Sequence, residues 1–259
     1  MRIPIYQIDA FTNKQFKGNS AAVCPLNEWI EEDLMQKIAA ENNLSETAFF
    51  VKKEDVYELR WFTPIDEVDL CGHATLATAY VICTYLDTNV KHIKFKTKSG
   101  LLEVSEDDGL FTLSFPSREG ERCETPEELI KGLGKVPKEV YKSRDYMAVF
   151  EKEQDILDLD LNMDELKKLD GFGVIVTAKG EKVDFVSRFF APKAGIKEDP
   201  VTGSTHCTLV PYWNNILKKE ELVALQLSER GGKLYCTNTG ETVRIAGEAV
   251  SYLEGYINV

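Results

Sequence analysis

Two short segments of this chain set a glycine and a polar residue at the head of a long apolar run: Gly72-His73 before ATLATAYVICTYL and Gly203-Ser204 before THCTLVPYW. The runs have helical spacing, so each pair is predicted to sit at a helix N-terminus. There the first backbone N–H groups lack intrahelical partners and the helix dipole favours negative charge. Such turns suit a carboxylate, with Gly72, Gly203 and Ser204 as its expected ligands. His73 is one of only three histidines, and its place on a candidate anion-binding turn makes a pocket role the expected one. Asp199 and Ser204 flank Thr202-Gly203, as turn and cap residues do. We expect capping and function together, with Asp199 orienting a polar group.

The two segments belong to a longer internal echo. Arg60 and Pro64 match Arg188 and Pro192 at an offset of 188 − 60 = 128, whereas Gly72 matches Gly203 at 203 − 72 = 131, so the second copy carries an insertion of three residues. The pattern predicts two related domains facing each other, with the two turns in one cleft. Around the turns, IYQIDAF, SAAVCPL, LSETAFFV and VYELRWFT read as strands, and Asn27 as the cap of a helix carrying Trp29, Leu34, Ile38 and Ala39. The run after Gly72 is apolar almost all round, which predicts a central helix wrapped by sheet. HIKFKTK, LLEVSED and LFTLSFP are further strands, the last two joined by Asp-Asp-Gly. The polar stretch from Ser117 places a domain boundary at 118/119. Thr125-Pro126-Glu127-Glu128 has capping-box spacing for the helix that opens the second domain. YMAVF, a helix from Met163 to Leu169, VIVTAKG, LSERGGKLYC and the segment after Glu241 complete that domain, the final strand being free to pair with the first.

Composition narrows the function classes. The formal charge of −12 repels polyanions, so no nucleic-acid partner is expected. No apolar stretch approaches the roughly 20 residues of a membrane span. The N-terminus alternates like a strand and shows no signal-peptide core, so a cytoplasmic location is expected. Six cysteines form no CxxC pair, and Cys71 with His73, like His206 with Cys207, lacks the paired spacing of a structural zinc site. Glycine-rich phosphate loops are absent. Neither metal nor organic cofactor is therefore expected.

GNSAAVC (Gly18 to Cys24), NLSETAFFV (Asn43 to Val51), EVDLCGHATLA (Glu67 to Ala77), EDPVTGSTHC (Glu198 to Cys207) and QLSERGG (Gln226 to Gly232), in that order, resemble the PhzF-like family of isomerases. The resemblance runs from about Tyr6 to the last strand. It implies the diaminopimelate epimerase fold: an α+β chain of two similar domains, 1–118 and 119–259, each a barrel-like sheet around a central helix, with the active site between them. It further implies that Glu46 is the acid/base, that His73, Asp199 and Ser204 complete the pocket, and that the enzyme is a homodimer. Taken alone, Glu46 reads as a solvent-facing glutamate. Asn19 reads as a pocket or turn residue. In diaminopimelate epimerase two cysteines act; here Cys71 holds the first position, and Pro200 aligns with the second.

The expectation that follows is a cofactor-independent isomerase of a small carboxylate-bearing metabolite, in which Glu46 moves a proton from one carbon to another. A racemase or epimerase of the same fold, and a metabolite-binding protein without turnover, are the alternatives.

Overall fold

In the computed structural model, which describes residues 1–259, the alternating N-terminal segment is strand β1 (Arg2–Ala10). It pairs antiparallel with β2 (Asn19–Leu26). The chain crosses over through α1 (Glu32–Asn42) and returns as β3 (Glu46–Lys53), parallel to β2, with β4 (Val56–Phe62) antiparallel to it. A short β5 (Glu67–Val68) pairs with β4 and leads into α2 (Gly72–Val81), which runs on through a π-helical turn, Ile82–Leu86. Strand β6 (His92–Thr97) lies parallel to β4, and β7 (Gly100–Asp107) and β8 (Leu110–Pro116) follow as antiparallel neighbours. Every residue of α2 from His73 to Ala79 is buried. The helix packs on β1, β2 and β3, which is how an almost wholly apolar helix removes its surface from water.

The second unit follows the same plan. β9 (Glu121–Arg122) pairs with β10 (Glu139–Lys142), which follows α3 (Glu127–Leu133). β10 is antiparallel to β11 (Tyr146–Val149). Short helices α4 (Glu153–Leu157) and α5 (Met163–Leu166) cross to β12 (Val174–Lys179), parallel to β11, and β13 (Phe185–Phe190) is antiparallel to β12. The long helix α6 (Gly203–Leu217) is buried over most of its length and packs on β14 (Glu221–Gln226) and β15 (Gly232–Asn238). β14 lies parallel to β13 and antiparallel to β15, and β16 (Thr242–Gly247) comes next. The last strand, β17 (Ala249–Asn258), belongs to the first unit, where it pairs antiparallel with β1. The compact units are therefore Met1–Ser114 with Ala246–Val259, and Phe115–Ile245. The expected boundary at 118/119 lies four residues earlier, and 246–259 leaves the second domain.

Sequence parallel, antiparallel and parallel again, the pairings of β2, β3, β4 and β6 recur in β11, β12, β13 and β14. Arg60 opposes Phe49, and Arg188 opposes Val176. The two arginines explain the sequence echo. Arg60 Nε donates to Glu67 at 2.7 Å, and Arg188 Nε donates to Glu198 at 2.8 Å. Each glutamate stands five residues before the glycine that opens the central helix. A charge-assisted bond thus ties each helix-leading turn to its sheet, and the insertion of three residues lies between arginine and glutamate.

Some local expectations fail for identifiable reasons. Asn27 does not cap α1, which begins at Glu32 behind Glu31; the intervening segment instead carries Trp29, whose indole N–H donates to Glu58 at 2.8 Å. Thr125 does not form a capping box, because Pro126 itself is the N-cap of α3 and no side chain caps it. LSERGGKLYC is two pieces: Ser228 to Gly231 form a turn with Gly231 at φ +66°, and the strand starts at Gly232. ELVALQ, β14, is a strand that the sequence pattern alone does not single out.

Candidate active site

Glu46 is the first residue of β3 and His73 the second of α2. Glu46 Oε2 lies 2.9 Å from His73 Nε2, and the two side chains are 14% and 7% exposed. On the other edge of the ring, Asn19 Nδ2 sits 3.2 Å from His73 Nδ1, and Cys71 Sγ 3.6 Å from the same atom. Asn19 reaches the ring because Gly18 turns the chain into β2 at φ +65°. A Cβ at Gly18 would stand 2.1 Å from the Ala10 carbonyl oxygen, so only glycine fits.

The electrostatics follow from burial. Desolvation alone would lower the pKa of His73, but Cys71 and the Glu46 carboxylate, both against the ring, outweigh it and hold the imidazole well above its ordinary value. Burial pushes the Cys71 thiol up to about 11, with the Glu46 charge adding to the effect. Cys71 is thus a neutral thiol near pH 7, and the Glu46 carboxylate is the anion that keeps His73 protonated. As an imidazolium, His73 can donate from Nε2 toward Glu46 or toward a substrate oxygen. Glu46, Cys71 and His73 also offer three ligand atoms within 4.8 Å of one another, a grouping of the kind that holds a metal ion. Sequence spacing gave no sign of it, because Glu46 comes from a distant strand. A metal there would have to displace the thiol proton.

In the second unit, Asp199 accepts a bond from the Thr202 hydroxyl, and the Asp199 carbonyl accepts from Gln226 Nε2 at 2.7 Å. Gln226, almost fully buried, also receives Thr202 N–H at 2.9 Å, and Ser228 Oγ donates to the Pro200 carbonyl at 2.7 Å. The QLSERGG motif is thereby explained: it clamps the turn that leads into α6. A Cβ at Gly203 would meet no protein atom within 4 Å, so packing does not demand glycine there. Ser204 Oγ takes a bond from Arg144 Nη2 at 3.2 Å, and Arg144 is not among the site residues expected from the sequence. Nothing in its local pattern marks it, since Arg144 reaches Ser204 across 60 positions.

The structure therefore brings Glu46, His73 and Asn19 together on the first unit's helix-leading turn with Gly72, and Asp199, Gly203 and Ser204 together on the second unit's turn. Cys71 immediately precedes α2, and Thr202 immediately precedes α6. The residue in Cys71's place in the second copy is accordingly Thr202, not Pro200, and no second thiol stands there.

Comparison with known proteins agrees with this frame. Residues 8–255 match the family model described as phenazine biosynthesis-like protein. An uncharacterized isomerase of Pseudomonas aeruginosa is 47% identical over 259 residues, 100% of both chains. The solved structure of a PhzF-family phenazine biosynthesis protein from Enterococcus faecalis superposes with a TM-score of 0.98 at 46% identity, covering 100% of each chain. A hydroxyproline epimerase from Agrobacterium vitis, 9% identical, shares the fold at a TM-score of 0.62 over 99% of this chain and 92% of its own. No helix is long and apolar enough to cross a membrane.

Proposed function

This chain belongs to the PhzF-like family, and from that premise we propose that it is an isomerase whose Glu46 carries a proton between two carbons of a small carboxylate-bearing metabolite. The observation that supports the reading best is the 2.9 Å approach of Glu46 Oε2 to His73 Nε2 at the head of α2. A carboxylate is a competent base for a C–H next to an electron-withdrawing group, and a neighbouring imidazolium stabilises the oxygen that gains charge as the proton leaves. Glu46 then returns the proton to a second carbon. Gly203 and Ser204 on the second unit's turn are proposed as carboxylate ligands, with Asp199 as the group that fixes that turn, and Gly72 is proposed in the equivalent role on the first unit's turn. The space above Gly203 favours close approach of a ligand to the backbone.

The same geometry argues against epimerisation by Glu46 and Cys71. Two groups that work on opposite faces of one carbon each need about 3–3.5 Å to it, and so stand about 6–7 Å apart. The ligand atoms of Glu46, Cys71 and His73 lie within 4.8 Å of one another. A single base shuttling one proton fits that spacing better.

The test is proton exchange. The protein is incubated in D₂O with a panel of small unsaturated cyclic and amino-acid carboxylates, and products are followed by NMR. A shifted double bond with deuterium at the new C–H, dependent on Glu46, supports the proposal. A metabolite that binds but neither exchanges nor isomerises would instead point to a binding protein.

A further inference from the structure

A chain of formal charge −12 repels anions at long range, so a site for a carboxylate must carry its own cations. The first unit's turn holds one histidine beside a glutamate. The second unit's turn is equipped differently. Strand register shows how: Ala22 opposes Thr47 across β2 and β3, and Tyr146 opposes Val174 across β11 and β12. With Phe49 equivalent to Val176, Tyr146 takes the place of Ala22, and counting two residues back puts Arg144 in the place of Ser20 and Ser143 in that of Asn19. Where the first unit sends Asn19 to His73, the second sends Arg144 to Ser204 and Ser143 Oγ to Thr208 Oγ1 at 3.3 Å.

Arg144 is held for a purpose beyond Ser204. Its Nε and Nη2 both donate to Asp145 Oδ2, at 3.0 and 2.7 Å, and its guanidinium lies 4.7 Å from the centre of the Phe172 ring. Asp145 is fully buried. A buried carboxylate is costly without a partner, and here it fixes the planar fork of a residue whose side chain is 34% exposed. Nη1 of Arg144 takes no protein partner. Arg118 adds a second cation. Its backbone N–H donates to Cys207 O at 2.9 Å, one turn along α6 from Ser204, and its Nη1 is shut from solvent with no hydrogen bond. Burial pushes the Cys207 thiol up to about 11, and both arginines act on it in the opposite sense, so both charges lie near this turn of the helix. Two guanidinium groups thus lie at this turn beside two carboxylates, Asp145 being engaged by Arg144 and Asp199 by the Thr202 hydroxyl.

We propose that Arg144, oriented by Asp145 and supported by Arg118, is the residue that recognises the substrate's carboxylate at the Ser204 turn. This rests on the reading of that turn as a carboxylate site. The two copies of one structural frame then differ in role, the first transferring a proton and the second recognising an anion.

Titration calorimetry on the intact protein tests it, with benzoate as a ring carboxylate and benzamide as its uncharged counterpart. The wild type should bind benzoate and prefer it to benzamide. Arg144→Gln should weaken benzoate by about tenfold or more, the effect expected when a charge-assisted bond is lost, with Arg144→Lys intermediate and benzamide unaffected. Because these variants disturb the partner of a buried carboxylate, Arg144→Ala/Asp145→Ala removes the pair together and should lose benzoate equally. Unchanged benzoate affinity in a folded Arg144 variant, or no preference for benzoate in the wild type, overturns the proposal. Loss of exchange chemistry is read separately through Glu46, so a protein that binds benzoate through Arg144 yet catalyses nothing would sink the isomerase and leave this inference standing.

Discussion

Gly173 occupies in the second unit the strand position that Glu46 occupies in the first. Phe49 and Val176 oppose the equivalent arginines, and each lies three residues beyond its counterpart in the pair Glu46 and Gly173. A Cβ at Gly173 would stand 2.5 Å from the Phe189 ring and 2.8 Å from the Phe190 carbonyl oxygen, so no side chain fits. The duplicated frame offers a carboxylate at this position once.

With no carboxylate at the equivalent strand position to take over, Glu46→Gln should abolish most turnover while leaving the fold intact. General acid–base catalysis is worth about 10²–10⁴-fold, and a drop of that size in the rate of deuterium incorporation is the expected result. Circular dichroism and thermal melting should match the wild type. A variant that exchanges at a near-normal rate would remove Glu46 from the mechanism.

The two buried histidines should titrate on opposite sides of the ordinary value. Desolvation works to lower His73, but the neighbouring Cys71 and Glu46 raise it, so the stability it contributes is full below about pH 6.5, the unfolded value, and is lost as pH climbs through its higher folded value. His206 is lowered to about 4 by burial, with its ring bonded to the Thr202 carbonyl at 2.8 Å. Its contribution is present above about pH 6.5 and is lost as pH falls toward 4, an effect of about 3 kcal/mol. NMR of the imidazole resonances checks both, and in Glu46→Gln the His73 midpoint should move down.

Cys71 should resist alkylation in the folded protein, since a buried thiol with a pKa of about 11 supplies almost no thiolate at pH 7.5. Cys71→Ser should retain exchange activity within about tenfold. Rapid alkylation of the native protein together with complete inactivation would return the thiol to the chemistry.

Gly18→Ala should be damaging although it adds one methyl group. The positive φ and the 2.1 Å approach to the Ala10 carbonyl together predict a loss above about 2 kcal/mol by denaturant unfolding. Because the same turn delivers Asn19 to His73, exchange activity should fall in whatever fraction remains folded. A variant as stable as wild type would mean that β2 begins differently.

The helix-leading turns were legible in the sequence because their signals are local: a glycine, a polar residue and a run of 3.6-residue period. The duplicated arginines were visible too, but their meaning was not, since Glu67 and Glu198 are matched only once the three-residue insertion is placed between arginine and glutamate. Glu46 looks like a surface residue by strand alternation; its neighbour His73 comes from a helix 27 positions on, which periodicity cannot pair. Arg144 is invisible for the same reason at greater range. The strand ELVALQ is apolar enough for a helix or a strand, and its partners β13 and β15 decide the matter.

The pairing of β17 with β1 makes the two units unequal in folding. β1 has β2 on one side, but its neighbour on the other, β17, is encoded beyond all of Phe115–Ile245, whereas the second unit is one uninterrupted stretch. The second unit can reach its native contacts without waiting for any segment of the first. The first, with Glu46 and His73 on it, must close a loop of more than a hundred residues, and long-range closure of that kind is slow. The unit proposed to recognise the anion is therefore built from local chain alone, and the unit proposed to carry the base is closed only by a strand from far along the sequence.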